Sequence, residues 1–151
     1  MKLKIYLDTS ILSCLLDERT PERMAETKAF WARLSYFESF TSELTQEELL
    51  ATPEMKKRKQ LVGLLKDLEI LLVTDDAREL ARRYVEHQVF TPKVFNDALH
   101  VAIAVQSNQN LIVSWNFKHL VNRTRRARIN ALNASLGLPP IEIASPLELQ
   151  E

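Results

Sequence analysis

Four polar positions in this chain have types and places that could do chemistry together. Asp8 follows a run in which Leu3, Ile5 and Leu7 alternate with Lys2, Lys4 and Tyr6, so it stands at the carboxyl end of a first strand with one well-buried face. Glu48, or its neighbour Glu47, falls in a helix after a second strand. Asp97 sits in a nearly continuous apolar stretch from Val94 to Val105, interrupted only by Asn96, Asp97 and His100. Asn116 follows the apolar run Leu111-Ile112-Val113-Ser114. In a parallel sheet such strand ends converge on one crevice. Two or three carboxylates gathered there repel one another and raise their pKa values unless a cation intervenes. Oxygen ligands with at most His100 nearby favour a hard ion, Mg²⁺ or Mn²⁺, over Zn²⁺. Such an ion lowers the pKa of a bound water and polarises a phosphoryl oxygen, which suits hydrolysis of a phosphodiester.

Each of these residues also has a structural reading. Asp8-Thr9-Ser10 has the composition of a helix cap, and Asp97 could be a buried hydrogen-bond acceptor. His100 reads as a satisfied core histidine, His87 and His119 as surface residues, and the one cysteine, Cys14, as core filler.

The elements that must position these groups follow from periodicity and punctuation. Helices are expected from Pro21 to Phe37, from Glu43 to Leu50 with Ser42 as cap, and from Pro53 through Leu68. Others are expected from Asp75 to His87 behind a Thr74 cap, from Val94 to Val105, and from Asn122 to Leu136 with Gly137 as stop. Strands are expected at Phe40-Thr41-Ser42, at Glu69–Val73 as a central strand, at Leu111–Ser114 and at Ile141–Ile143. The order predicts an α/β fold, a mostly parallel sheet with helices on both faces, in one domain over 1–151. With only Gly63 and Gly137 available, no glycine-rich phosphate loop can be built.

Composition limits the function classes. Twenty basic and twenty acidic residues cancel, so whole-chain charge gives no support for nucleic-acid binding and any such surface must be local. Two candidates are Lys56–Lys59, which reads as a solvated face, and the cluster Arg123, Arg125, Arg126 and Arg128, whose guanidinium groups suit phosphate. No apolar segment approaches the roughly 20 residues that span a bilayer. No signal-peptide pattern precedes the first strand, and a cytoplasmic location is expected.

Four blocks in order, Tyr6-Leu7-Asp8-Thr9-Ser10, Thr41 to Leu49, Asp97-Ala98-Leu99-His100 and Ser114 to Leu120, resemble the PIN-domain family. Within it they are similar to the small VapC-type ribonucleases of type II toxin–antitoxin systems. The resemblance implies a Rossmann-like fold, Mg²⁺ or Mn²⁺ bound by acidic residues, and endonucleolytic cleavage of single-stranded RNA. It also implies a homodimer and a small antitoxin partner. Carried over by position, Asp8, Glu48 and Asp97 match the family acids, with Glu48 preferred to Glu47 or Glu43. Asn116 stands where the family usually has an aspartate. Thr9 and Ser114 would be donors behind the metal ligands. A PIN-like domain that binds RNA or protein and cuts little is the competing expectation, and a small Mg²⁺-dependent phosphatase is a third.

Overall fold

The alternating amino-terminal run forms strand β1, Lys4–Leu7, and Asp8 caps the helix that follows, α1, Thr9–Cys14. The computed structural model describes residues 2–150; Met1 and Glu151, the two ends of the expected domain, lie outside the described residues. Next come α2 (Pro21–Trp31), β2 (Glu38–Ser42), α3 (Glu43–Leu50), α4 (Met55–Gly63) and β3 (Glu69–Leu71). The chain continues with α5 (Asp75–Glu86), α6 (Phe95–Gln106), β4 (Leu111–Val113), α7 (Arg123–Ser135) and β5 (Glu142–Ala144). The five strands make one sheet in the order β3-β2-β1-β4-β5, and every pairing is parallel.

Successive residues of a strand point to opposite faces, and the two cores follow that rule. Tyr6 and Ile112 face a cluster filled by α5, α6 and the Ile129 side of α7. Ile5, Leu7, Leu111 and Val113 face a second cluster with Ile11, Leu12, Phe30 and Leu61 from α1, α2 and α4. Helices therefore cover both faces, as a parallel sheet requires.

Several local expectations are corrected. Tyr6 is fully buried, so β1 has two buried faces; its central place in the sheet leaves no solvent side. The helix from Pro21 stops at Trp31, with a separate 3-10 turn at Leu34–Tyr36, and the helix expected from Pro53 begins at Met55 and ends at Gly63. β3 is an edge strand and not a central one. Its apolar run packs against helices on both sides, which looks the same in sequence as a central strand. Leu72 is 68% exposed, and Val73 N–H donates to Glu43 Oε1 at 2.9 Å where pairing ends. Ser42 precedes α3 but its hydroxyl does not cap it; Oγ lies 2.7 Å from the Tyr6 hydroxyl. Gly137 does end α7, at φ +73°, where a side chain would be strained.

One buried pair ties α2 to the end of β4. Trp115 Nε1–H donates to Thr27 Oγ1 at 2.8 Å, and the Thr27 hydroxyl donates to the Arg23 carbonyl at 2.6 Å. Thr27→Val keeps the shape and removes both bonds, leaving a buried indole N–H unpaired. Urea denaturation should show a loss of about 1–3 kcal/mol, and an unchanged midpoint would mean that the pair adds no net stability.

Candidate active site

The site is built outward from Asp8, which is 4% exposed. Its Oδ1 accepts from the Ser10 backbone N–H at 3.1 Å and from the Ser10 hydroxyl. Its Oδ2 accepts from Ser114 Oγ at 2.6 Å. Both hydroxyls also accept: Ser10 Oγ from Trp115 N–H and Ser114 Oγ from Asn116 N–H, each at 2.9 Å. The first turn of α1 and the chain leaving β4 are thus joined through one carboxylate. Burial pushes the Asp8 carboxyl above the usual range, opposed by His100 and the two serine hydroxyls and reinforced by the charge of Asp97.

Glu48, on α3, is held by a different set of partners. Its Oε1 accepts from His100 Nε2 at 2.6 Å and from Thr9 Oγ1 at 2.8 Å. The other ring nitrogen, Nδ1, is 2.7 Å from the Tyr6 hydroxyl, which is itself 2.7 Å from Ser42 Oγ. Burial drives the Tyr6 hydroxyl far above its ordinary pKa, so it keeps its proton and donates to one of these neighbours. In a neutral His100 ring with Nε2–H facing Glu48, Tyr6 donates to Nδ1 and Ser42 donates to Tyr6. Burial also works against ionisation of Glu48, but the bonds from His100 and Thr9 outweigh it and hold the carboxyl below the usual range. Glu47 is exposed on the same helix.

Asp97 lies in the first turn of α6, half-buried. Burial raises its pKa; His100, His119 and the Asn116 side chain oppose the shift, and the charge of Glu48 adds to it. Asn116 has a double role. Its Oδ1 accepts from His119 N–H at 2.9 Å, which leaves its amide N–H₂ as the group that favours an ionised Asp97. His119, expected at the surface, is half-buried beside Asp97.

Asp8, Glu48, Asp97 and Asn116 therefore come together, with Thr9 against Glu48 and Ser114 against Asp8. The α7 arginines divide, Arg125 and Arg128 lying against the 88–90 segment and near enough to feel each other's charge, and Arg126 facing β5. Arg125 stands over the Phe90 ring at 4.4 Å, donates to the His119 carbonyl at 3.0 Å and feels the charge of Asp97. Arg126 donates to the Ile143 carbonyl at 2.9 Å and lies 3.5 Å from Glu148, and Arg128 reaches the Gln88 carbonyl at 3.4 Å. Arg123 is exposed. Sequence reasoning passed over Ser10 and Tyr6; its reading of His100 as a satisfied core histidine agrees with a ring 3% exposed and bonded at both nitrogens, but missed that one of those bonds goes to Glu48. The available signal was His100 three residues after Asp97 on a helix too apolar to carry it unpaired.

The donors fit a hard divalent ion in part. Among the described residues no three His, Cys, Asp or Glu side chains stand close enough to form a ready-made cage. Mg²⁺ does not need one, since it keeps several waters and is commonly held by one or two carboxylates. Asp8 and Asp97 are all-oxygen donors, each near enough to Glu48 or to the other to be destabilised by a neighbouring charge that a cation would offset. Glu48 has Oε2 left over from its bonds at Oε1. Asn116 fits less well, because Oδ1 is engaged.

An all-parallel sheet whose order reverses beside β1, with acidic residues at its strand ends, defines the class: a Rossmann-like α/β protein with its candidate site at the β1–β4 switch point. A family profile described as PIN domain matches residues 5–119, and the chain belongs to the PIN-domain family. Solved structures with this fold include a toxin–antitoxin complex from Klebsiella pneumoniae, 18% identical, covering 80% of this chain and 93% of that one at a TM-score of 0.58. A DNA-bound VapBC from Salmonella typhimurium is 22% identical, covering 95% and 98% at 0.57. VapC20 of Mycobacterium tuberculosis, a toxin that cleaves the sarcin–ricin loop, is 16% identical, covering 91% and 98% at 0.60. At such identities the likeness is one of fold. A search of curated proteins finds no match. The matched span contains the four polar positions and ends before the α7 arginines.

The raised and lowered carboxyls have opposite signs in stability. Asp8 and Asp97 bind a proton more tightly in the native than in the unfolded chain, so they add stability as pH falls from neutral toward the ordinary aspartate value of about 3.9. Glu48 contributes above the ordinary glutamate value of about 4.3 and loses that contribution as pH falls through its lowered native value. In chelator, the melting temperature should therefore rise as pH falls from neutral toward the ordinary carboxylate range, and Asp97→Asn should flatten the rise while melting higher at neutral pH. A wild-type melting temperature that falls over this window would contradict the assignment.

Asn116→Asp keeps the acceptor for His119 N–H but places a carboxylate where an amide donor faced Asp97. The metal-free variant should melt lower than the wild type, and calorimetric titration should show tighter Mn²⁺ binding. Weaker binding would mean that the amide itself is needed.

Proposed function

We propose that this PIN-like domain, taken over 1–151, is a Mg²⁺- or Mn²⁺-dependent endoribonuclease that hydrolyses phosphodiester bonds of single-stranded RNA. In this reading it is the toxin member of a type II toxin–antitoxin pair, a homodimer restrained by a small antitoxin. The observation that carries it is a PIN-domain chain in which Asp8 and Asp97 are both pushed up by burial and then by a neighbouring acid, Asp97 acting on Asp8 and Glu48 on Asp97. The shared fold with VapBC and toxin–antitoxin proteins supports the antitoxin. Among the described residues no helix is long and apolar enough to cross a membrane.

Asp8 and Asp97 would hold the ion, with Glu48 Oε2, left over from the bonds at Oε1, as a further oxygen donor. A divalent ion there supplies charge for the phosphoryl oxygens and an acidified water. Ser10 and Ser114 keep both Asp8 oxygens oriented, so the carboxylate does not swing when substrate arrives. His100 and Thr9 hold Glu48 ionised, with its remaining oxygen available to accept a hydrogen bond from, and so orient, an attacking water. The Asn116 amide favours charged Asp97. The competing reading, a PIN-like domain that binds RNA or protein and cuts little, draws on Asn116 as an uncharged residue at the fourth position.

The purified protein with Mn²⁺ should cleave a mixed single-stranded RNA pool, and excess chelator should stop it. Asp8→Asn and Asp97→Asn should each lower the rate by about a hundredfold or more while leaving the circular dichroism spectrum unchanged, since several kcal/mol of charge stabilisation is lost. Asparagine caps a helix nearly as well as aspartate, but its amide N–H₂ cannot accept from one of the two serine hydroxyls, so the melting temperature of Asp8→Asn is measured beside its rate and a variant that stays folded carries the test. Cleavage in chelator, or in both variants, would overturn the mechanism; no cleavage by the wild type with either ion favours the binding reading.

A further inference from the structure

Beside the acidic crevice, one large apolar ring is presented to solvent by a tightly pinned loop. Phe117 is 39% exposed, next in sequence to Asn116. Its N–H donates to the Trp115 carbonyl at 2.9 Å, and its carbonyl accepts from Asn122 Nδ2 at 3.1 Å. Leu120 and Val121 N–H both donate to the Asn116 carbonyl at 2.9 Å. The ring therefore sits on a fixed support.

A cation shares that support. The Arg23 guanidinium carbon lies 5.2 Å from the Phe117 ring centroid and 5.2 Å from that of Trp115, and the two rings meet edge-on at 6.1 Å. The Thr27 bonds to Trp115 and to the Arg23 carbonyl hold this part of α2 against the loop. Among the described residues Arg23 has no carboxylate partner, and it is exposed. A planar cation lying over aromatic rings, with one ring partly open to solvent, is chemistry that accepts another flat π-system flanked by negative charge. Nucleobases of a single strand are such groups, since their faces are free and phosphates lie on either side.

We propose that Phe117 and Arg23 form a stacking platform for a nucleobase of a single-stranded nucleic acid, holding the strand beside the Asp8–Glu48–Asp97 crevice. The inference rests on the nuclease reading for its substrate class. Stacking on Phe117 reads no base edge, so the platform selects unpaired nucleotides and tolerates sequence. Arg23 adds attraction to the adjoining phosphate.

The test separates bases from backbone. Fluorescence anisotropy, in chelator and at low ionic strength, would compare a short labelled oligouridylate with an abasic oligomer of equal length. The wild type should prefer the base-bearing strand by about tenfold. Phe117→Ala should erase the preference without changing the melting temperature much, and Phe117→Trp should restore it, which a merely structural ring would not do. Arg23→Lys, which keeps the charge and loses the plane, should weaken the preference. Equal binding of both strands by the wild type, or a preference kept in Phe117→Ala, overturns the platform and leaves the nuclease reading standing. Binding of neither strand also overturns the platform; only if Mn²⁺-dependent cleavage is absent too does the nuclease reading fall with it.

Discussion

Burial of the Asp8 carboxylate is the constraint that the rest of the site answers. A carboxylate that is 4% exposed is costly unless its lone pairs are occupied. Here each oxygen has a hydroxyl donor, one from the first turn of α1 and one from the end of β4. Those hydroxyls in turn accept from the backbone of Trp115 and Asn116. The register that sets Leu7 against Val113 is what brings Ser114 to the right height. A slip of one residue would send every strand side chain to the opposite face and strand the charge.

Topology decides where the other acids arrive. From β1 the chain winds outward through β2 to β3, then returns to the far side of β1 for β4 and β5. The reversal opens a crevice between the carboxyl ends of β1 and β4, the place where open α/β sheets bind ligands. Asp8 and the Ser114–Asn116 segment border it from the two strands. Glu48 reaches it from α3, which begins directly after β2, and Asp97 from the first turn of α6, which leads into β4. Right-handed crossovers between parallel strands allow little freedom in this arrangement.

Asp8, Asp97 and Asn116 were legible because each lies at the end of, or interrupts, a strongly apolar segment; Glu48, among other glutamates on a polar helix, was singled out only by the family resemblance. Side-chain direction over long separations was not legible. The bond from Tyr6 to His100 joins residues 94 apart, and only packing reveals that both point into one interior. Ser42 looked like a cap because its position is one; a buried phenol on the neighbouring strand competed for the hydroxyl and won. The run Ile70–Val73 signals burial by helices, and burial by helices does not say whether another strand lies alongside. The arginines of α7 were read as a group from their spacing, yet Arg126 is turned toward the Ile143 carbonyl and Glu148 by the return of β5. Spacing along a helix fixes only which faces residues occupy, not what meets them.

Zero net charge and an acidic crevice together shape how a polyanion could be held here. The carboxylates repel phosphate, and the whole molecule offers no long-range attraction to offset that. Exposed charges act over about 8 Å at physiological ionic strength, so cations must stand at the rim itself. Arg125 is within reach of the charge on Asp97, and Arg23 lies against the rings of Trp115 and Phe117. Two such groups do little alone against three nearby acids. Uncharged contact surface, which salt does not screen and carboxylates do not oppose, then carries a larger share of binding than in a basic protein. A rigid, half-exposed ring at the border of the crevice is the kind of group that condition favours.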